Sequence, residues 1–282
     1  MRALEIVATG PLALVQDLGR PGYAHLGVPP SGALDVEALR LGNRLVGNPA
    51  EAAGIEALLG GLVVRATTSC TVAVTGPVVP VRVDERDAGS HTAVSLRAGQ
   101  TLALGRPSAG LRSYLAVSGG LAVAPVLGSR SRDVLSAIGP EPLEDGVSLP
   151  LGPVTGVPAG ADVVVTPAAP ERLVVPVVLG PRDDWFTGLA DGLGAWWSVT
   201  SESNRVGLRL DGPPLRRENT AELPSEGLVT GAIQVPPSGL PVVFLADHPT
   251  TGGYPVAAVV RRGSLGALAQ ARPGTFVRFR PS

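Results

Sequence analysis

The stretch Thr71-Val72-Ala73-Val74-Thr75-Gly76-Pro77-Val78-Val79-Pro80-Val81-Arg82-Val83 sets two β-branched runs either side of a Gly-Pro pair. Branched side chains lose rotamer freedom on a helix and suit the pleat of a strand, while Gly-Pro favours a turn, so the stretch reads as two short strands. The pattern recurs in both directions, at Leu62–Ala66, Thr101–Leu104, Arg112–Val117, Val163–Thr166, Leu173–Leu179, Gly207–Leu210, Val242–Ala246 and Thr275–Phe279. The 37 Gly and 28 Pro are spread between these runs and not gathered in one tract. Short strands punctuated in this way predict a mainly β protein with a few helices, built as a barrel or sandwich.

Two segments depart from that reading. Leu34, Ala38, Leu41 and Leu45 follow helical spacing, Asp35 stands where a helix cap is needed, and Gly47-Asn48-Pro49 stands where a helix stops, which predicts a helix over 35–46. Asp183–Leu193 predicts a second, weaker helix. Trp185, Phe186, Trp196 and Trp197 cluster there in a chain with 4% aromatics, and they are expected to plug the space between sheets. A stacking platform for a ring-shaped ligand is the alternative.

Gly139–Gly160 loses the apolar periodicity, and a boundary there predicts a first β-barrel-like domain over 1–140 and a second over 141–282, with strands free to exchange between them. The same stretch could equally be a long hairpin. Val28-Pro29-Pro30-Ser31-Gly32 recurs as Val235-Pro236-Pro237-Ser238-Gly239. Beside each copy an Asp precedes a Gly-rich turn ending in Tyr, at Asp17–Tyr23 and Asp247–Tyr254, so the expectation is of two related, permuted halves facing one cleft.

Charge and rare residues exclude several functions. With 23 basic and 24 acidic side chains and a net charge of −1, the chain has no excess of cations with which to neutralise nucleic-acid phosphates. All the basic residues are Arg, and there is no Lys. That removes an ordinary Walker A loop, Lys-anchored Schiff bases, covalently attached biotin and the Ser–Ser–Lys amidase triad. Cys70 is the only cysteine, so no intrachain disulfide forms; its strand-like surroundings predict a buried, inert thiol. His25, His91 and His248 lack any tight ligand spacing, so no metal site is assigned to this chain. Glu5 interrupts any signal-peptide core and no apolar run reaches membrane length, so a cytoplasmic protein without membrane association is expected.

The segment 222–254 is the densest in polar groups on a Gly/Pro frame. Glu226, Gln234, Ser238, Asp247, His248, Thr250 and Thr251 fall near strand ends or in turns, and Thr250-Thr251-Gly252-Gly253-Tyr254 offers hydroxyls and open backbone N–H groups to an anion. Arg20, Arg44, Arg112, Arg130 and Arg205 sit in turn-like contexts, and a guanidinium recognises carboxylate or phosphate through two parallel hydrogen bonds. Asp17, Asp35, Asp133 and Asp247 are the carboxylates considered as bases or metal holders, with Asp35 already explained by capping. No Gly-x-Ser-x-Gly elbow is present.

These residues also carry a resemblance. Gln16–Tyr23, Gly27–Asp35, Asn43–Asn48, Arg112–Gly120, Leu127–Asp133, Ser203–Gly207 and Pro224–Pro255 together resemble the PxpC/KipA-like family, the C-type subunits of 5-oxoprolinase, also called allophanate hydrolase subunit 2-like or biotin-dependent carboxyltransferase-like. The one departure is Val206-Gly207-Leu208, where Met and an aromatic are common in that family. The resemblance implies two cyclophilin-like β-barrel domains, a KipI-like (B-type) partner chain and a third 5-oxoprolinase subunit. It also implies an ATP-dependent opening of 5-oxoproline to L-glutamate, in which phosphorylation of the lactam oxygen opens the carbon to water. In that setting Asp247, Arg20 and Arg112 are expected to be catalytic. Arg205, Gln234, Ser238, Thr250, Thr251, Gly252, Gly253, Tyr254 and Glu226 are expected to bind substrate or phosphate, and ATP with Mg2+ to sit at a site that could be shared with the partner. A regulatory binding subunit is one alternative. The other is urea amidolyase-related chemistry, with biotin carried by another chain; the lack of Lys argues against the amidase mechanism that the older allophanate hydrolase label implies.

Overall fold

The computed structural model describes residues 2–159 and 170–282, and these form two compact units. The first comprises residues 2–20, 35–133 and 137–159; the second comprises 21–34, 134–136 and 170–282. The boundary expected at 140/141 is therefore displaced, for a specific reason. Ser148–Pro150 pairs antiparallel with the first strand, Ala3 opposite Pro150 and Glu5 opposite Ser148, which keeps the 141–159 stretch with the first unit. Residues 21–34 cross the other way.

The first unit has two antiparallel sheets around one core. One runs in the order Ser148–Pro150, Ala3–Ala8, Val63–Ala66, Thr101–Leu104, Val81–Val83, Arg86–Ala88; the other in the order Leu12–Gln16, Gly54–Leu58, Arg112–Val117, Cys70–Thr75, Ala93–Leu96. Ile6, Val64 and Leu102 of the first sheet and Val15, Ile55 and Val72 of the second are fully buried in a common cluster. Each such side chain withdrawn from water contributes on the order of 1.5–3 kcal/mol before entropy is counted. Cys70 lies in this cluster, and burial pushes its thiol above the ordinary range, as expected for an inert cysteine.

The predicted helix is Val36–Leu45, capped by Asp35, whose carboxylate accepts from the Ala38 N–H at 3.1 Å. It ends at Gly47, which takes a left-handed φ of 75°. Thr75 Oγ donates to the Ala38 carbonyl at 2.7 Å and ties the helix to the sheet beneath. Leu34, counted with the helix by periodicity, belongs instead to the core of the second unit.

The second unit is a closed barrel of Arg172–Leu179, Val256–Val260, Ala232–Gln234, Val242–Phe244, Gly207–Asp211, Trp197–Val199 and Phe276–Pro281. Closure comes from parallel pairing of Arg172–Leu179 with Phe276–Pro281; the other ladders are antiparallel. Trp185, Phe186 and Trp197 are buried in its core, the plug expected of them, and Trp197 donates its indole N–H to the Pro213 carbonyl at 3.0 Å. Trp196 is only half-buried. The helix expected over 183–193 is broken in two, a 3-10 turn at Asp183–Trp185 and a helix at Leu189–Leu193, because Gly188 between them is left-handed.

Both Val-Pro-Pro-Ser-Gly copies lie in the second unit, so they do not mark related halves. Ser31 is left-handed with φ 52° and Ser238 is not, so the shared letters do not even make the same turn. The strand expected at Val163–Thr166 lies outside the described residues.

Candidate functional site

In the first unit Asp17 follows the strand Leu12–Gln16 and is almost wholly buried. Its Oδ1 accepts from Ser129 Oγ and Ser131 Oγ, both at 2.6 Å, and from the Gly19 N–H at 2.8 Å; its Oδ2 accepts from the Arg130 N–H at 2.6 Å. A buried carboxylate with this many donors holds the turn 129–131 against the strand end. Arg20, 2% exposed, donates to the carbonyls of Ser131 and Val126. Arg112 is also buried and stands 3.6 Å from the Glu56 carboxylate. Glu56 also accepts from the Tyr114 hydroxyl at 2.8 Å, and that hydroxyl in turn accepts from the Asp35 N–H at 2.8 Å. Burial first, then the charges of Glu56 and Asp35, hold the Tyr114 phenol well above its ordinary range. Arg130 is half-buried, with Nε on the Val123 carbonyl at 2.8 Å, and Arg44 is exposed at the end of the helix. Asp133 is fully buried.

In the second unit Asp247 is fully buried against Arg205, with Nε 2.8 Å from Oδ2 and Nη2 3.1 Å from Oδ1. Arg205 Nη2 also donates to the Gly32 carbonyl at 2.7 Å, and the Val134 N–H donates to Asp247 Oδ2 at 3.1 Å. His248 is buried beside them, its Nδ1 2.7 Å from the Pro249 carbonyl and its ring 6.3 Å from that of Phe244.

The remaining expected residues divide into two places. Thr251–Gly252 pairs with Glu226–Gly227, the Leu228 N–H donates to the Thr250 carbonyl, and Gln234 Nε2 donates to the Tyr254 carbonyl at 2.9 Å. Glu226, Gln234 and Thr250–Tyr254 thus form one cluster, with Thr251, Gly253 and Tyr254 facing solvent. A Cβ at Gly252 would lie 2.6 Å from Gln234 Nε2 and 2.9 Å from Leu228 Cδ1, so any larger residue displaces those side chains. Ser238 lies elsewhere, in an open groove of mixed lining that brings Thr200, Glu202, Arg209 and Asp211 beside Pro236, Leu240 and Val242.

Sequence reasoning passes over the cation of this cluster. Arg182 pairs with Glu226, and both side chains remain about one-third exposed. The hydrogen bond to Glu226 raises the Arg182 pKa, and its guanidinium carbon lies 6.0 Å from the Trp185 ring. It stands in Gly180-Pro181-Arg182-Asp183, the same turn context that singles out the other arginines. Glu56 is legible too, as a lone acid in the apolar run Gly54–Leu58. Among the described residues no group of three or more His, Cys, Asp or Glu stands together as metal ligands, and no helix is long and apolar enough to cross a membrane.

The model of the carboxyltransferase domain, subdomains A and B, matches residues 26–281. The chain belongs to this family. Its relatives include the C-type subunit of 5-oxoprolinase from Escherichia coli, 39% identical with 98% of this chain and 90% of that protein covered, and urea amidolyase of Saccharomyces cerevisiae, 30% identical over 99% of this chain and 16% of that protein. Among solved structures, TTHA0988 superposes with a TM-score of 0.90 at 37% identity over 99% of this chain. The Kluyveromyces lactis urea amidolyase superposes with a TM-score of 0.93 at 29% identity, also over 99% of this chain. The chain spans 56% and 18% of the length of these two structures. The carboxyltransferase family therefore occurs both as a separate, named component and as a segment of much longer chains.

Proposed function

We propose that this chain is the C-type subunit of a heteromeric 5-oxoprolinase, working with a KipI-like chain and a third subunit to hydrolyse 5-oxoproline to L-glutamate at the expense of ATP. The observation that carries this reading is the 39% identity to a protein named as that 5-oxoprolinase component, across nearly the full length of both.

The geometry refines what the chain would contribute. Arg20, Arg112 and Arg205 are committed to acceptors of the chain itself, so they do not fit a polyphosphate. The reading therefore assigns the nucleotide phosphates to the partner chains. Asp247 and Asp17 are likewise enclosed by their own donors and act as positioning residues. The groups a small amide could reach are those of the Glu226–Tyr254 cluster. Arg182 is also paired with Glu226, but unlike the other three it is one-third exposed, so a substrate carboxylate could reach it by exchanging for part of that contact, and the hydroxyls and N–H groups of Thr251–Tyr254 would hold the lactam oxygen. Glu226 is the carboxylate of the set that water reaches, placed to orient the attacking water.

A second reading is favoured by the family description and by the urea amidolyase relatives, namely a carboxyltransferase acting on carboxybiotin carried by another chain. ADP release by the assembly reconstituted from its purified components, with 5-oxoproline, urea or buffer, separates the readings. Stimulation by 5-oxoproline alone supports the first, and stimulation by urea with a biotinylated carrier supports the second. No stimulation in either arm removes both and leaves a regulatory binding role.

A further inference from the structure

We propose that the outer face of the strand pair Arg172–Leu179 and Phe276–Pro281 is the docking surface for a partner subunit that presents carboxylates around an apolar centre; the proposal rests on the heteromeric reading above. The two strands run parallel with Arg172 opposite Phe276, Val174 opposite Arg278 and Pro176 opposite Arg280. Their alternation sends Leu173, Val175, Val177, Val277 and Phe279 into the barrel core, so the intervening residues must face outward. Val174, Val178 and Phe276 are each 43% exposed there, an apolar strip along one strand and its neighbour's start, with Arg172, Arg278 and Arg280 set beside it on the barrel wall.

The strip is framed by cations held in place. The half-buried Trp196 ring has the Arg278 guanidinium 4.9 Å from its centroid and that of Arg172 at 5.6 Å, and Arg172 is also 5.9 Å from the Phe276 ring. Stacking of this kind restricts an Arg side chain before any partner arrives, which lowers the ordering cost of binding. Among the described residues Arg278 and Arg280 form no ion pair with a carboxylate.

Charge selects the occupant. A second copy of this chain would bring the same arginines face to face. A nucleic acid would leave Val174, Val178 and Phe276 without a partner, and the chain's net charge of −1 supplies no wider basic field. A protein surface with carboxylates round an apolar patch satisfies both parts of the strip, and Trp, Phe and Arg are the residue types that dominate interface energetics. The barrel is closed, so the partner cannot add a strand and must bind through these side chains.

The test titrates the purified KipI-like chain and the purified third subunit, each in turn, into the wild-type protein and the variant R172E/R278E, at low and moderate salt. Circular dichroism and thermal unfolding check the fold. The expected result is that the wild type binds one of the two partners, and that the variant binds it at least about tenfold more weakly with a reduced salt dependence. Because that variant also removes the Trp196 stack, R280E and V174D are measured alongside it, each expected to weaken binding on a barrel whose stack is intact. Equal binding by wild type and all variants overturns the docking face and leaves the heteromeric reading standing. A wild type that binds neither partner overturns both. Self-association or RNA binding lost in the same variants, with partner binding retained, assigns the face to another occupant and overturns the proposal.

Discussion

Asp247 and Arg205 are joined twice, once through the two-pronged contact of their side chains and once through the backbone, where the Asp247 N–H donates to the Arg205 carbonyl at 3.2 Å. Each therefore fixes the orientation of the other. Removing one charge strands its partner in the interior, so Asp247→Asn is expected to cost about 3–5 kcal/mol in urea unfolding. The paired change Arg205→Met with Asp247→Leu should recover part of that loss. If the paired variant folds, assembles and turns over normally, Asp247 serves the fold alone; if it folds and assembles but is inactive, the pair is needed for activity beyond its contribution to stability.

Tyr114 is predicted to stay protonated where an ordinary phenol is half-ionised. The unfolded chain would release that proton first, so stability should fall as pH rises through about 10. Alkaline titration at 295 nm should lack the Tyr114 contribution until the protein unfolds. Tyr114→Phe loses both the bond to Glu56 and the acceptor for the Asp35 N–H, at a cost of about 1–3 kcal/mol, and should abolish the delayed absorbance step.

Gly252→Ala addresses the loop cluster. The added methyl meets the ends of the Gln234 and Leu228 side chains inside contact distance, so those side chains have to move and the Gln234 bond to the Tyr254 carbonyl is disturbed. Stability should drop by about 1–3 kcal/mol, while turnover of the assembled complex should fall much further if this loop holds substrate. Matching losses in the two measurements would confine the loop to a structural part.

His91 provides a pH handle in the first unit. Burial lowers its pKa, against the raising effect of the Gly76 carbonyl 2.9 Å from Nε2. The native ring stays neutral where the unfolded chain takes up a proton, so its contribution makes stability fall as pH drops below about 6.5. His91 is left-handed with φ 59°, a conformation Asn tolerates, so His91→Asn should flatten the stability slope between pH 6.5 and 5 without disrupting the turn. An unchanged slope would assign the acid sensitivity to carboxylates.

Local chemistry makes much of this fold readable. Arg112–Val117 is delimited to the residue because β-branched and aromatic positions sit between turn signals, and Asp35 marks the helix start because capping is a contact three residues long. Gly54–Leu58 escapes such reading because Gly, Glu and Ala interrupt its apolar residues, and Val256–Val260 because two Ala break its β-branched run; both form through partners far along the chain. The site divides in the same way. The polar loop 250–254 is visible as composition, but the restraint on Asp247 depends on Arg205, 42 positions earlier, and no local pattern reveals it.

Residues 21–34 belong to the second unit although they precede the bulk of the first, and the Ser31 N–H donates to the Ala246 carbonyl at 3.0 Å. On the ribosome this segment emerges long before its seat exists. The barrel that receives it closes only when Phe276–Pro281 reaches Arg172–Leu179. Vectorial synthesis therefore completes the second unit in a single late event, after the whole of the first has emerged, and leaves the early segment without its seat until then.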